Sequence, residues 1–275
     1  MERSKHKFLF MKSGFIVFGL LIGFLLTNSC SGSKTVEFTI MSYNIKHGVG
    51  NDEELDLSRA LAVIKAQSPD YVALQEIDHF VERSDSINQT EFFGNELKMN
   101  YTFGQFMPFQ GGAYGMATLS AKEIKSTKLL SLPKGIYEPR ISIVQEVEIT
   151  EGASVLLANV HFDWISGEEG EASRSAQASA LIQYLNQLEL PTIITGDFNC
   201  QPESPTMQLF YKAGFDFADK GSDNLSFQGD NQVEIDHVIY RNTETAQLKV
   251  KFIDLLEEPL VSDHRPLVAH LELAY

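Results

Sequence analysis

The chain opens, after an apolar N-terminal run, with a clear alternation of apolar and polar residues. Residues 37–45 alternate in this way and carry β-branched side chains, which predicts a strand. In residues 56–70, Leu57, Leu61 and Ile64 recur at helical spacing, and Pro69 ends the predicted helix. Residues 71–78 predict a short buried strand with a polar end.

The same patterns continue to the C-terminus. Strands outnumber helices, and both hairpins and crossovers occur, so we predict an α/β fold with two mixed sheets packed together. A glycine-rich loop over residues 110–120 leads into one of the strands. Further helices are predicted over residues 90–99, 171–190 and 203–214, and further strands over residues 101–107, 140–149, 153–163, 191–199, 233–241, 247–256 and 265–273.

The N-terminal segment has a different character. Four basic residues precede an apolar run of 13 residues, 14–26, whereas about 20 residues are needed to span a bilayer. This pattern predicts an export signal over residues 1–29. Cys30 follows and resembles the lipidated cysteine of a bacterial lipobox, although Thr27 is not the usual aliphatic residue. An ordinary secretory signal and an uncleaved anchor are the alternatives.

The length of the chain bears on its domain organisation, and its net charge bears on the partners it can bind. The 275 residues contain no repeat or linker after residue 35, so we expect one domain over 36–275 behind a short tether, 30–35. The net charge is −15, and loss of residues 1–29 would make it about −18. A protein that holds duplex DNA needs a basic face, so stable binding to duplex nucleic acid is not expected. We expect a monomer.

Polar clusters end several of the predicted apolar strands. Strand ends on one side of an open sheet commonly form a ligand site, so these clusters predict a single pocket. An oxygen-rich site with two histidines suits Mg²⁺, with Mn²⁺ as a substitute, and such a cation can polarise a phosphoryl oxygen. The clustered residues are Asn44, Glu76, His161, Asp197, Asn199, Asp236, Asp263 and His264.

Each of these residues also has an ordinary structural explanation. Asn44 could form a turn, and His161 alone could be a hydrogen-bonded core histidine. Asp197 and Asn199 could belong to an Asx-turn. The ordered recurrence of the clusters is what favours a functional site.

That order resembles the endonuclease/exonuclease/phosphatase superfamily. The matching segments cover about residues 36–273 and read MSYNI, VALQEID, YGMATLS, NVHFD, TGDFN, IDHVIY and SDHRPLVA. The resemblance implies a four-layer α/β sandwich of the DNase I-like type, with two facing mixed sheets and helices outside. Within the superfamily, the chain looks most like a compact bacterial branch of metal-dependent hydrolases, here with a lipoprotein-like N-terminus.

The resemblance also implies roles for individual residues. Glu76 would ligate Mg²⁺, with Asn44 nearby and Asp263 joining it. Asp197 would orient or deprotonate the attacking water, and Asn199 would donate a hydrogen bond to the scissile phosphate. Asp197 and Asn199 are two residues apart, so on an extended chain their side chains would point the same way.

Two histidines complete the implied site. His264 would contact the phosphate and be held by Asp236 or Asp263. His161 lies where related enzymes place a second catalytic histidine near the leaving group.

Three further residues are candidates for substrate binding. Arg140 resembles a family arginine close to the phosphate, and an edge-strand charge is the alternative. Tyr114 would line the pocket or pack inside the fold. Trp164 would stack on a substrate or simply pack.

The resemblance leaves the substrate open. The first hypothesis is a Mg²⁺-dependent phosphodiesterase or phosphomonoesterase, anchored in the cell envelope by its N-terminal lipid on the periplasmic or outer-membrane face. Its phosphate-ester substrate would be a lipid headgroup, a sugar phosphate or a small nucleotide. The second is a secreted nuclease acting on DNA or RNA. The third is a non-catalytic binding module on the same scaffold.

Overall fold

The structure is a computed structural model that describes Met1, residues 34–229 and residues 231–275. Apart from Met1, the predicted signal of residues 1–29 lies outside the described residues, as do Cys30 and residues 31–33 of the predicted tether. None of the helices in the described part of the chain is long and apolar enough to cross a membrane.

Strands hold more of the described residues than helices do, as the alternating pattern predicts. In chain order they are β1 (Thr35–Asn44), β2 (Tyr71–His79), β3 (Asn100–Phe109), β4 (Gly112–Ser120), β5 (Glu123–Ser131), β6 (Ile141–Thr150), β7 (Ala153–His161), β8 (Thr192–Asp197), β9 (Asp216–Phe217), β10 (Asp236–Arg241), β11 (Gln247–Leu255) and β12 (Leu267–Ala274). The helices are α1 (Leu57–Gln67), α2 (Gln89–Leu97), α3 (Gly167–Leu185) and α4 (Pro205–Lys212).

The described residues form two mixed sheets that face each other. The first has the strand order β11-β12-β1-β2-β4-β3, and the second has the order β5-β6-β7-β8-β10-β9. Parallel pairs occur where a helix crosses over: β1 pairs with β2 around α1, and β7 pairs with β8 around α3. The remaining neighbours are antiparallel, so both sheets are mixed.

Three apolar layers hold the sheets and helices together. One fills the space between the sheets, where Phe38 and Ile40 of β1 pack with Leu157 of β7. A second packs α1 and α2 on the outer face of the first sheet, and a third packs α3 and α4 on the outer face of the second. Helix, sheet, sheet and helix therefore make the four-layer α/β sandwich that the sequence predicts.

Several boundaries differ from the predictions. Strand β5 was not among the predicted strands, because this edge strand is mostly exposed and carries only a weak alternation. Helix α3 begins four residues before the predicted range of 171–190 and ends five residues before residue 190, and its N-cap is Ser166. Tyr114 lies on β4 and not in a loop, since only Gln110 and Gly111 separate β3 from β4.

Candidate active site

The layer between the sheets changes from apolar to polar toward one end. Alternate strand residues face this layer, so each strand contributes an inner series of side chains. The C-terminal ends of the parallel pairs β1–β2 and β7–β8 carry the polar part of each series. The inner series are Phe38, Ile40, Ser42 and Asn44 on β1, Val155, Leu157, Asn159 and His161 on β7, and Ile193, Thr195 and Asp197 on β8.

Glu76 reaches this polar end through a β-bulge. Val72 and Leu74 face the helices, so simple alternation would place residue 76 on the helix side as well. The pairing of β2 with β4 shifts between Gln75 and Ile77, and Glu76 has φ +56°. Ile77 returns to the helix side, and the Glu76 carboxylate faces the site. A non-glycine residue with positive φ inside a strand is strained, and such strained residues cluster at functional sites.

Asp197 ends β8 and is the acid of the TGDFN segment. Its Oδ1 accepts a hydrogen bond from the backbone N–H of Asn199 at 2.9 Å. Its Oδ2 accepts one from Asn44 Nδ2 at 3.2 Å. Burial raises the pKa of Asp197 to about 7, against the opposing charge of His264. A carboxylate that exchanges its proton near neutral pH is suited to act as a general base.

The predicted extended backbone from Asp197 to Asn199 is wrong. The strand ends at Asp197, Phe198 turns to the helix side and Asn199 has a left-handed φ of +51°. Asn199 still lines the same cleft as Asp197, and one N–H of its amide donates to Phe162 O at 3.1 Å. Gly196 permits this ending, because a Cβ there would lie 2.0 Å from Val160 O.

His264 and Asp236 form a buried ion pair beside Asp197. His264 Nδ1 lies 2.8 Å from Asp236 Oδ2, and its Nε2 lies 3.6 Å from Asp197 Oδ2. Burial disfavours the imidazolium, but the two carboxylates outweigh burial and raise the pKa of His264 to about 10. Of the two partners that the sequence left open, Asp236 is the one that contacts the ring.

His161 approaches the same carboxylate from β7. Its Nε2 lies 3.6 Å from Asp197 Oδ2, and its Nδ1 has no hydrogen-bond partner among the described residues. Burial, together with the charge of Arg140, lowers the pKa of His161 to about 3. The ring is therefore neutral at pH 7, in contrast to the ring of His264.

Asn44 and Arg140 each contact acidic side chains at or near the site. The Nδ2 of Asn44 donates to Glu76 Oε1 at 3.1 Å, and its Oδ1 accepts from the backbone N–H of Lys46, so the side chain holds the Glu76 carboxylate in place. Arg140 is buried, pairs with Glu138 at 2.7 Å and places its guanidinium 4.8 Å from the centre of the Phe106 ring.

These residues surround an open cleft of about 540 Å³. Asn44 and Asp236 are buried behind its wall, and each contacts a lining residue. Trp164 stands at the rim with 56 % of its surface exposed. The predicted residues that line the cleft are Glu76, Tyr114, Arg140, His161, Trp164, Asp197, Asn199, Asp263 and His264.

Some residues of the site escaped the sequence interpretation. Glu138, Phe227 and Asn231 lie on loops that carry no strand-end signal, and they reach the cleft through tertiary packing. His47 follows β1 and lies 3.7 Å from Glu76 Oε2. His47 lies three residues after Asn44, just beyond the polar end of β1, and this position could have identified it from the sequence.

Oxygen ligands for a hard cation face the cleft. Burial works against the charge of Glu76, but the His47 ring, His161 and Asn44 lower the pKa of this carboxyl to about 2, so it is ionised. Its side chain remains 26 % exposed, and Asp263 lines the same cleft. These acids fit Mg²⁺ or Mn²⁺. Asp197, Asp236 and His264 also place ligand atoms within 4.8 Å of one another, but the short Asp236–His264 bond already occupies two of those atoms.

The described residues form a DNase I-like α/β sandwich, and comparison with known proteins gives the family. Residues 41–264 match the Endonuclease/Exonuclease/phosphatase family, to which the chain therefore belongs. No curated protein matches the chain.

Solved structures share the fold at low identity. An endonuclease/exonuclease/phosphatase from Beutenbergia cavernae DSM 12333 superposes with a TM-score of 0.72 at 16 % identity, covering 86 % of this chain and 72 % of its own. One from Bacteroides vulgatus has a TM-score of 0.70 at 20 % identity, with 86 % and 98 % covered. A mannosyl-6-phosphatase from Bacteroides thetaiotaomicron VPI-5482 has a TM-score of 0.67 at 20 % identity, with 85 % and 99 % covered.

Proposed function

We propose that the protein is a Mg²⁺-dependent hydrolase of phosphate esters that acts by attack of an activated water. Membership of the Endonuclease/Exonuclease/phosphatase family supports a phosphoric-ester hydrolase. The observation that carries the proposal is the buried Asp197 carboxylate, with a pKa near 7, lying 3.6 Å from both His161 and His264. A buried acid with a raised pKa, between two histidines at the wall of an open cleft, is the kind of arrangement that active sites contain.

Asp197 is the general base of the proposed reaction. Its Oδ1 is held by the backbone of Asn199 and its Oδ2 faces the two histidines, so the carboxylate is fixed before a water arrives. At neutral pH a large fraction of Asp197 is ionised and can accept the proton of that water.

Positive and hydrogen-donating groups line the same cleft as Asp197. The His264 imidazolium, kept charged by Asp236, and the Arg140 guanidinium can stabilise the negative charge that develops on the phosphoryl oxygens. The second N–H of the Asn199 amide is free to donate to the same oxygens. His161 is neutral, so it orients the Asp197 carboxylate or a leaving-group oxygen by hydrogen bonding rather than by charge.

Glu76 and Asp263 would hold the cation, with Asn44 and His47 fixing the Glu76 carboxylate. A Mg²⁺ bound there would polarise a phosphoryl oxygen as a Lewis acid. The roles of these ligands stay predictions, as does the choice of Mg²⁺ over Mn²⁺.

The net charge of the chain and one similar solved structure bear on the substrate class. The chain has a net charge of −15, which disfavours long duplex DNA and favours a small or headgroup phosphate ester. A similar solved structure is named as a mannosyl-6-phosphatase, which supports including sugar phosphates among the candidates.

The test is hydrolysis by the full chain with Mg²⁺, Mn²⁺ or EDTA. Substrates would be bis-p-nitrophenyl phosphate, p-nitrophenyl phosphate, plasmid DNA, sphingomyelin and phosphatidylinositol, with His264→Ala as the inactive control. We expect EDTA-sensitive release from a small or lipid ester and little cleavage of plasmid. Cleavage of plasmid DNA would favour the nuclease instead. If no substrate is hydrolysed and no metal binds, the non-catalytic binding module is favoured.

We also propose that the protein is exported and anchored to a membrane of the cell envelope by lipid on Cys30. The support is the basic, apolar and small-residue sequence of residues 1–30. Cys30→Ser should release the protein from the membrane fraction in cells. If that variant stays with membranes, an uncleaved apolar anchor is the better explanation.

A further inference from the structure

Two buried titratable residues, Lys220 and His237, form a lysine–histidine pair behind the candidate active site. Lys220 follows the short strand β9, and His237 is the second residue of β10, directly after Asp236. Their side chains are only 2 % and 3 % exposed. Burial of a charged lysine is costly, and burial lowers the pKa of Lys220. The hydrogen bonds that offset this cost indicate what the pair does.

The Lys220 ammonium continues the edge of the second sheet where β9 ends. That strand is only two residues long, and just after it Ala218 N donates to Val238 O at 3.0 Å. Two residues back along β10, Lys220 Nζ donates to Asp236 O at 2.6 Å. A side-chain cation therefore holds the backbone of the residue whose carboxylate pairs with His264.

The same ammonium sets the tautomer of the His237 ring. Lys220 Nζ lies 3.1 Å from His237 Nδ1, and because an ammonium only donates, Nδ1 accepts. Burial and the Lys220 charge lower the pKa of His237 to about 3, so the ring is neutral at pH 7. Its one proton is then on Nε2, which donates to Cys200 O at 2.8 Å. Glu234 Oε1 lies 2.6 Å from Lys220 Nζ and favours the charged amine.

Both ends of this chain of hydrogen bonds adjoin groups of the candidate active site. Asp236 Oδ2 lies 2.8 Å from Nδ1 of His264. Cys200 directly follows Asn199, which lines the cleft. The regular pairing of β8 with β10 ends at Asp197 and Asp236. The lysine–histidine pair therefore fixes the segment after β8 against the start of β10, beyond the regular pairing of those strands.

We propose that Lys220 and His237 are positioning residues of the candidate active site. They hold the segments that carry Asn199 and Asp236, and through Asp236 they hold the His264 ring. Both lie outside the lining of the cleft, so they act through these groups. The consequence for hydrolysis rests on the proposed function, which gives His264 and Asn199 their roles at the phosphoryl oxygens.

Variants of Lys220 supply the first readout. Lys220→Met keeps the length of the side chain but removes its donors, so kcat for p-nitrophenyl phosphate should fall by about tenfold to a hundredfold with little change in KM. Lys220→Arg keeps a cationic donor and should recover much of the rate. Lys249→Met, at an exposed position of β11, is the matched control and should keep wild-type kcat and KM.

Variants of His237 test the other half of the pair. His237→Phe keeps a ring against Phe198 and Phe217 but removes both hydrogen bonds, so kcat should fall as in Lys220→Met. His237→Gln keeps an amide that can donate to Cys200 O and should retain more activity. Combining His237→Phe with Lys220→Met should cost less than the product of the two losses, because both variants break the same connection.

A charge-neutral variant separates positioning from the cost of an unpaired charge. Lys220→Met leaves the Glu234 carboxylate, which also accepts from Asn224 Nδ2 at 2.7 Å, without its cation. Adding Glu234→Gln removes both charges, so the double variant should unfold near the wild-type urea midpoint. Its kcat should stay low, because Asp236 O and His237 Nδ1 still lack their donor. Wild-type kcat in this variant would overturn the proposal.

Nuclear magnetic resonance of the histidine rings supplies a readout that needs no turnover. The full chain, labelled with ¹⁵N in its histidines, should show at pH 7 a neutral His237 ring with its proton on Nε2, and His264 as an imidazolium. His237→Gln assigns the first ring and His264→Ala the second. Lys220→Met should shift the ring nitrogen signals of both, whereas Lys249→Met should shift neither.

The two readouts separate the two proposals. Shifted His264 signals in Lys220→Met, in a chain that hydrolyses no ester, would support the positioning pair and contradict the proposed hydrolase. Ester hydrolysis at wild-type kcat in both Lys220→Met and His237→Phe would overturn the positioning pair and leave the hydrolase intact. His264 signals that do not move in Lys220→Met would also overturn the pair.

Discussion

The two ends of the layer between the sheets are built from the same strands but differ in role. One end stabilises the fold, and the other carries the polar groups of the candidate active site. At one end Phe38, Leu157 and Ile193 are fully or almost fully buried among apolar neighbours. At the other end the same strands bury Asn44, Asp197 and other charged or polar groups. Apolar burial stabilises the folded chain, whereas buried acids oppose folding unless they are paired. Stability and chemistry are therefore located at separate ends of one layer.

A belt of buried amides separates the two ends. Gln75 Nε2 donates to Asn159 Oδ1 at 2.7 Å, and Asn159 Nδ2 donates to the carbonyls of Leu74 and Ala117 at 3.0 and 2.9 Å. These bonds run from one sheet to the other, so they fix the spacing of the sheets directly beneath the site. A buried polar network that bridges the two sheets specifies geometry, which the proposed catalytic groups above it require.

The largest expected effect is at the polar end, on rate. Asp197→Asn removes the proposed base while keeping the shape of the side chain. Hydrolysis should fall by roughly 10²–10⁴-fold, the usual contribution of general-base catalysis. Steady-state kinetics with p-nitrophenyl phosphate would measure it. Asp216→Asn, on the exposed strand β9, is the matched control and should keep wild-type turnover. Wild-type turnover in Asp197→Asn would remove that residue from the mechanism.

The next effect is at the apolar end, on stability. Leu157→Ala leaves a cavity between the sheets and should lower the free energy of unfolding by about 2–5 kcal/mol. Urea unfolding would measure the loss, and kcat of the folded protein should stay near wild type. Leu129→Ala, on the exposed face of β5, should change stability little. A large fall in kcat for Leu157→Ala, without unfolding, would mean that the two ends are not separable.

A third effect links Asp197 to pH. Its pKa is about 7 in the folded chain and near the ordinary 3.8 when unfolded. The folded chain therefore holds this proton to higher pH, and stability falls as pH rises from about 4 to about 7. Asp197→Asn removes that penalty, so it should stabilise the chain above pH 7, by at most about 4 kcal/mol, and progressively less down to pH 4. Thermal unfolding at pH 5 and pH 8 would measure the difference. An equal effect at both pH values would contradict the raised pKa.

The smallest effect concerns the cation. Glu76→Gln removes the charge that faces the cleft and should weaken Mn²⁺ or Mg²⁺ binding by at least about tenfold. Calorimetric titration of the full chain would measure the affinity. Glu123→Gln, at the exposed start of β5, should leave the affinity unchanged. Unchanged affinity in Glu76→Gln would move the cation to other residues.

Much of the fold and part of the site follow from local pattern. Alternation along β1, β7 and β8 is enough to predict strands with one face toward the core, and helical spacing predicts α1. The polar strand ends also identify six of the cleft-lining side chains, namely Glu76, His161, Asp197, Asn199, Asp263 and His264. Glu138, Phe227 and Asn231 were beyond this reasoning, because loop residues reach the cleft only through the packing of distant segments.

Local pattern is sufficient where a side chain's direction depends only on its neighbours in the chain. It is insufficient where a partner strand sets that direction. Glu76 faces the site because β2 forms a bulge against β4, and Asn199 lines the cleft because the backbone turns left-handed after β8. Asp236 rather than Asp263 pairs with His264 because β10 and the segment before β12 meet in space. Bulges, turns and ion pairs of this kind depend on contacts between residues that are far apart in the sequence. The free energy of those contacts cannot be derived from any single segment of the chain.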